Sequence, residues 1–342
     1  MKTYLSYSKT YPVKMETLAT NYFYASIYGN NIYGCKTGNQ AAKSTDYGTT
    51  WTDFTKVFDT MLTSCFASKD GILYVSEYEL LGVGSKIWRS ADDGANWTNV
   101  FTTTVGGINT WAWAQNSAGV LFAGEYSNSG INSCYLWKSI NDGVNWTRID
   151  LTAYGLNHIH QVFVDPVSDY LYVSFGDDAV CKIYRSIDDG VNWTQLFAGV
   201  NRRYTGITST NDARFFADDL TGSINHIWKS INDVDLIDSY FPSSNYNTEW
   251  ADIVSIDGEQ TIFSMFNNYA RTTGKYSIIS MSQDDGVTWK MLIYSQTSAT
   301  SYRFMRPVMD YRHRIPSGFP YLIVNDFELY RLVRILISDA KE

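Results

Sequence analysis

KSTDYGTTWTDF (Lys43–Phe54), RSADDGANWTNV (Arg89–Val100), KSINDGVNWTRI (Lys138–Ile149) and RSIDDGVNWTQL (Arg185–Leu196) are four versions of one phrase. KSINDVDLIDSY from Lys229 is a decayed fifth, and MSQDDGVTWKML from Met281 a sixth. Their serines, at 44, 90, 139, 186, 230 and 282, stand 46, 49, 47, 44 and 52 residues apart. Self-similarity at such a period is the signature of a repeat architecture, and roughly 40–50 residues per unit matches a four-stranded propeller blade. Around each copy the flanks alternate apolar and polar residues, as in SKIWRS before Asp92 and NWTNVF after it, which reads as strand, turn, strand.

The phrase explains itself chemically. A Ser and an Asp two residues apart can accept hydrogen bonds from the amides of a tight turn, a Gly can take a positive φ, and a Trp can pack as the next strand begins. Ser44, Asp46, Gly48 and Trp51 fill these places in the first copy, and Ser90, Asp92, Gly94 and Trp97 in the second. Ser186, Asp188, Gly190 and Trp193 fill them in the fourth, and Ser282, Asp284, Gly286 and Trp289 in the sixth. The third copy, Ser139, Asn141, Gly143 and Trp146, has Asn for Asp, and the fifth lacks both Gly and Trp. The pattern S-x-D-x-G-x-x-W resembles the Asp-box, or bacterial neuraminidase repeat. The resemblance covers most of the chain and implies that each box joins the third and fourth strands of a blade, its aspartate structural rather than catalytic.

Counting from the boxes gives an all-β fold, a single propeller domain over 1–342 with blades near 17–60, 61–105, 106–155, 156–200, 201–245 and 246–298. The tail segments RFMRPVMDY, PYLIVND and ELYRLVRIL read as three more strands, and KTYLSYSKTY at Lys2–Tyr11 as a fourth. Residues 299–342 with 1–16 then make a seventh blade, closed by the N-terminal strand, which removes the open edges of the ring. Six blades plus an appended hairpin is the alternative.

Composition agrees. The 26 Tyr, 17 Phe and 11 Trp, beside 24 Gly and only 6 Pro, suit half-buried strands joined by tight turns. With 44% hydrophobic and 18% charged residues the chain can bury a core, which excludes wholesale disorder. A net charge of -8 argues against general affinity for nucleic acid or anionic membrane. No apolar run long enough for a membrane span and no signal-peptide core are present, so no membrane insertion and a cytoplasmic or virion-associated location are expected unless the chain is trimmed. Cys35, Cys65, Cys134 and Cys181 form no C-x-x-C pair and are read as isolated buried thiols.

In a propeller the loops entering first strands and those joining second to third strands share the face opposite the boxes. Ends of second strands carry Glu77, Glu125, Asp177 and Asp178, Asp218 and Asp219, Asn267 and Asn268, and Asp326, read as a ring converging on the axis. First strands are entered by Trp111 and Trp113, His158 and His160, Arg202, Arg203 and Tyr204, Glu249 and Trp250, and Arg303 and Arg306. Flat rings among acids and guanidinium groups suit a polar, oriented ligand such as a glycan. Trp111, His158, His160, Arg203, Tyr204, Asp218, Trp250, Arg303, Arg306 and Asp326 are therefore the expected ligand-binding residues, with a carbohydrate or glycoconjugate as partner.

Families sharing the box differ in activity: sialidases, inverting xyloglucanases, Vps10-type sorting receptors and photosystem II assembly factors of the Ycf48 type. A sialidase needs three arginines, for which Arg203, Arg271, Arg303 and Arg306 are available, and a Phe-Arg-Ile-Pro motif, which residues 1–43 lack. HRIPSG at His313–Gly318 is a partial echo at the other end. Glycoside hydrolysis in general needs two carboxylates with different proton affinities, and Glu77, Glu125, Asp178 and Glu249 are the candidates. No GxSxG elbow, P-loop, GxGxxG or calcium loop appears, so no cofactor and no metal is expected; His158 and His160 form a possible ligand pair for which no third ligand is visible. The expectation is a glycan-binding propeller. A glycoside hydrolase is one alternative and a Ycf48-like scaffold for a protein partner the other.

Overall fold

The computed structural model describes residues 13–79, 82–104, 107–127, 133–154, 157–177, 181–197, 202–220, 224–242, 248, 250–268, 275–297, 305–326 and 331–337. Strand β1 (Val13–Thr20) precedes the first blade, which is β2 (Tyr22–Tyr28), β3 (Asn31–Lys36), β4 (Gln40–Ser44) and β5 (Thr52–Val57). The second blade is β6 (Leu62–Ala67), β7 (Leu73–Glu77), β8 (Lys86–Ser90) and β9 (Thr98–Thr102), and the third β10 (Gly107–Gln115), β11 (Leu121–Ser127), β12 (Tyr135–Ser139) and β13 (Thr147–Asp150). The fourth comprises β14 (Ile159–Val164), β15 (Leu171–Phe175), β16 (Lys182–Ser186) and β17 (Thr194–Leu196), and the fifth β18 (Tyr204–Ser209), β19 (Arg214–Asp218), β20 (Ile227–Ser230) and β21 (Ile237–Tyr240). In the sixth, β22 (Trp250–Ile256), β23 (Ile262–Asn267), β24 (Lys275–Ser282) and β25 (Lys290–Thr297) are joined at the inner edge by the short parallel β27 (Arg314–Ile315). The seventh runs β26 (Met305–Pro307), β28 (Leu322–Asp326), β29 (Arg331–Ile337), with β1 outermost.

Seven antiparallel blades thus form a propeller, and the chain's first described strand closes the last blade. The pairing segment is Val13–Thr20, paired from Val13↔Ile337 to Thr20↔Arg331 with one register shift between Thr17 and Ala19, whereas the expected strand at Lys2–Tyr11 lies outside the described residues. The pairing has a simple cause. β1 ends one residue before β2, at Asn21, which turns the chain at φ 69°, so the shared strand abuts the first blade directly.

Apolar clusters lie between blades. Phe66, Tyr74, Trp113 and Leu121 join the second and third, Phe122, Leu136, Ile159 and Val173 the third and fourth, and Ile27, Ile32, Val308 and Leu332 the seventh and first. Each blade buries one face against the next, the reason a single repeat cannot stand alone.

The repeated turns work as their residue types suggest. In the second, the Ser90 hydroxyl accepts from Gly94 N at 2.9 Å and donates to Asp92 Oδ1 at 2.8 Å, which accepts from Asn96 N at 2.8 Å. Trp97 Nε1 donates to Gly94 O at 3.0 Å. Asp93 and Gly94 both take positive φ, 59° and 85°, and a Cβ on Gly94 would meet the Phe54 ring at 2.4 Å.

The turns also stitch blade to blade. The cation just before the turn serine reaches the next turn's pre-glycine residue, or its counterpart in the fifth copy. Lys43 Nζ meets Asp93 Oδ2 at 2.6 Å, Arg89 Nε donates to Asp142 O at 2.6 Å, and Lys138 Nζ donates to Asp189 O at 2.8 Å. Arg185 Nη1 meets Asp233 Oδ2 at 2.7 Å and Lys229 Nζ meets Asp285 Oδ2 at 2.6 Å. In the sixth copy the place is Met281; the seventh blade, which follows, has no such turn. All four cysteines are free thiols, Cys65 half-buried and the others buried.

Candidate functional site

The inner strands β2, β6, β10, β14, β18, β22 and β26 surround the axis. The segment joining β26 to β28 leaves on the same face as the repeated turns and enters the axis. Ile27 N donates to Met309 O at 3.0 Å, Thr208 Oγ1 donates to His313 O at 2.8 Å, and His313 Nε2 sits 2.7 Å from Trp113 O. Arg314 donates to Ser209 Oγ at 3.0 Å and Thr210 O at 3.1 Å. This segment, containing the HRIP run, plugs the channel from the turn side. Above it lies a blind cavity of about 90 Å³ lined by Tyr24, Ser64, Trp111, Gln161 and Arg306, with Met309 and His313 at its floor.

At the rim, Trp111 packs on Tyr126 with ring centres 4.1 Å apart and edge-on to Trp250 at 6.1 Å. The Arg306 guanidinium lies 5.8 Å and 5.6 Å from the Trp111 and Trp250 rings, and its Nε donates to the buried Asp252 Oδ2 at 2.7 Å. Tyr126 continues onto His158 at 4.0 Å. His158 Nε2 and His160 Nε2 are 3.2 Å apart, and Asp177 Oδ1 is 3.1 Å from His160 Nε2. Arg203 Nη1 donates to the same Oδ1 at 2.9 Å, while its Nη2 is 2.9 Å from Asp219 Oδ1.

Local backbone makes this cluster. Asn157 and Gly176 take positive φ, 69° and 76°, turning the chain into β14 and out of β15. The register slips between Ile159↔Phe175 and Gln161↔Ser174, a bulge that re-aims His160. Comparable slips occur in β2, β6, β10 and β18, so the bulge recurs through the first five blades, while β22 and β26 pair without one.

Burial, reinforced by the neighbouring His160, pushes His158 down to about 3, and burial lowers His160 as well. The hydrogen bonds from His160 and Arg203 hold Asp177 well below the usual carboxylate range. Burial raises Asp219 to about 7 against the pull of Arg203. One guanidinium therefore bridges two carboxylates of opposite protonation tendency.

The expected residues divide. Trp111, His158, His160, Arg203, Trp250 and Arg306 come together at the rim. Tyr204 is instead a core residue, packed with Phe216 and Ile207 between the fourth and fifth blades. Glu77, Glu125 and Asp218 are buried staples rather than an axial ring. Glu77 Oε1 accepts from Asp59 N and Thr60 N. Glu125 accepts from Thr104 N and Oγ1, Ser133 Oγ and Trp137 Nε1 at 2.6–3.1 Å. Asp218 accepts from Arg202 Nη1, His226 N and Trp228 Nε1. The physical reason is that a second-strand carboxylate meets the orphan donors of its own blade's entry loop and third-strand Trp before it can reach the axis. Asp178, Glu249, Arg271 and Arg303 lie outside the described residues, as does the side chain of Asp326. Sequence reasoning missed Tyr126 as a rim residue and singled out Asp218, a buried staple, where Asp219 is the member of that pair that meets Arg203; Asp177, named only as part of the acidic ring, joins His160 and Arg203. Gly176, whose positive φ turns the backbone just before Asp177, was the available signal.

Neither a protein-family model nor a curated protein sequence matches the chain. Solved structures do. A family 74 xyloglucanase from Xanthomonas campestris superposes with a TM-score of 0.64 at 15% identity, over 82% of this chain and 47% of that one. This chain thus spans about half of the xyloglucanase's length. YCF48 from Cyanidioschyzon merolae gives 0.60 at 15% identity, covering 94% and 98%. An ulvan lyase bound to a glucuronic acid and sulfated rhamnose repeat gives 0.61 at 11%, covering 94% and 95%. At these identities the likeness is one of fold.

Proposed function

We propose that the face opposite the repeated turns binds a glycan, and that the rim formed by Trp111, Tyr126 and Trp250 is its platform. The observation that carries this reading is the cluster of half-buried Trp111 and Tyr126 against the buried Trp250, beside two guanidinium–carboxylate pairs, Arg306–Asp252 and Arg203–Asp177. Rings stack on sugar faces, and paired donors and acceptors suit hydroxyls. Because each arginine already faces a carboxylate, the surface favours a neutral, hydroxyl-rich sugar over one with a free acid. Propellers of similar fold include polysaccharide-acting enzymes, which is consistent with the reading.

The test is a glycan array on the full chain, with affinities then measured for Trp111→Ala and Tyr126→Ala. Loss of stacking worth about 0.5–1.5 kcal/mol should weaken binding roughly two- to tenfold. A folded protein that binds no glycan, or whose variants bind like the parent, overturns the proposal. A hydrolase is the second reading, favoured by Asp177 and Asp219, one held ionised and one raised to about 7 on a shared guanidinium, the split that acid–base pairs use. It requires release of reducing ends from the bound glycan, reduced by about 10²–10⁴ in Asp219→Asn.

A further inference from the structure

His158, His160 and Asp177 make an arrangement that stacking and sugar recognition do not call for. Two imidazole Nε2 atoms, each on a ring whose side chain is 3% exposed, face one another at 3.2 Å. The Asp177 carboxylate closes the triangle, with Oδ1 at 3.1 Å from His160 and Oδ2 at 3.6 Å from His158. A hydrogen on either Nε2 serves one neighbour and crowds the other, so hydrogen bonding satisfies this triangle only in part.

The spacing has a ready physical explanation. Bonds of about 2.0–2.1 Å from a zinc-class ion at tetrahedral angles separate neighbouring ligand atoms by roughly 3.3–3.4 Å; the two edges that meet at His160 Nε2, 3.2 Å to His158 Nε2 and 3.1 Å to Asp177 Oδ1, lie close to that value, and one ligand atom from each of the three residues falls within 4.8 Å of the others. We propose that His158 Nε2, His160 Nε2 and one oxygen of Asp177 bind a divalent transition-metal ion of the zinc class. The proposal shares Asp177 with the glycan reading but is read out by metal uptake alone, so each can fail without the other.

Ligand chemistry selects the ion. Two imidazoles with one carboxylate suit Zn²⁺, Co²⁺, Ni²⁺ or Fe²⁺ and disfavour the oxygen-seeking Ca²⁺ and Mg²⁺. Outer contacts fix the carboxylate: Asn157 Nδ2 donates to Oδ2 at 3.3 Å and Arg203 Nη1 to Oδ1 at 2.9 Å. Asp219 holds the guanidinium from its other side at 2.9 Å. Such outer partners orient the ligands of metal sites. Three protein ligands leave a fourth position open, and the 28% exposed Asp177 is the approach from solvent.

The experiment uses the full chain, stripped with chelator and titrated by calorimetry with Zn²⁺, Mg²⁺ and Ca²⁺ in turn. One equivalent of Zn²⁺ should bind, and neither alkaline-earth ion should compete. His160→Gln and Asp177→Asn should each weaken Zn²⁺ binding at least about tenfold, and Arg203→Lys by a smaller factor. Co²⁺ in the parent should give the intense visible absorption of four-coordinate nitrogen-bound cobalt. Absence of stoichiometric Zn²⁺ uptake by the folded parent overturns the proposal, as does unchanged uptake in folded His160→Gln. If the variants do not fold, the parent decides alone: a faint six-coordinate Co²⁺ spectrum, or His158 and His160 ring resonances unmoved by Zn²⁺, refutes the site.

Discussion

In each intact turn a single serine hydroxyl and one carboxylate or amide oxygen organise four residues, and their replacement has a calculable direction. Gly94→Ala places a side chain where φ is 85° and the Phe54 ring stands 2.4 Å from the new Cβ. Strain and overpacking together should cost about 2–4 kcal/mol, read as a lower denaturant midpoint at unchanged slope. Trp97 is half-buried, so Trp97→Ala should cost about 2–3 kcal/mol, below the range for fully buried aromatics. Asp92 and Asp188 are held down to about 2, first by the amides of Asn96 and Asn192. A carboxylate depressed in the folded state adds stability that is fully present above its ordinary value of 3.8 and is lost as pH falls toward about 2. The melting temperature should therefore drop across that window more steeply in the parent than in an Asp92→Asn, Asp188→Asn double variant. Asn141, which accepts from Asn145 N at 3.0 Å in the third turn, shows that the amide fits. Parallel slopes would mean the turn aspartates do not couple to folding.

Strand ends show which groups do a local job and which are left for a ligand. Glu125 is fully buried and accepts from four donors on the entry loop, the strand connection and β12. Glu125→Ala strands those donors and should destabilise by about 2–4 kcal/mol, whereas a catalytic acid would lose turnover and keep its melting temperature. The fifth turn, with Val234 where the others have Gly, keeps only part of the hydrogen-bond set: Asp233 N donates to Ser230 Oγ, and Val234 N and Asp235 N donate to Asn232 Oδ1. Its amides from Lys229 to Ser239 should exchange faster than those from Arg185 to Gln195; equal protection would contradict this. The period, the turn chemistry and the blade count were legible because each turn is specified by residues within eight positions. The rim was legible only in part. Whether a carboxylate at a second-strand end faces inward depends on a bulge in the first strand and on donors from the entry loop, and neither has a local sequence signature. Hence Glu125 and Asp218 read as site residues, while Tyr126 and Asp219, one position on, were passed over.

Across the ring, the charged stitches run in chain order from Lys43–Asp93 to Lys229–Asp285 and stop at Met281. Beyond that point closure rests on β1 against β29, with Arg334 Nε donating to Glu16 Oε2 at 2.6 Å across 318 residues. Removing residues 1–20 should uncover the β29 edge and lead to aggregation, while removing 1–12 leaves the β1–β29 ladder intact; light scattering and melting of the two truncations separate them. The same layout sets an order of events during synthesis. Blades emerging from the ribosome can dock one upon another, each stitch joining consecutive units, but β1 does not meet its partner until β29 is made. Throughout the synthesis of the segment from β2 to β28 the nascent chain carries β1 unpaired. Assembly of the toroid then waits on one long-range encounter, the slowest and most aggregation-exposed kind.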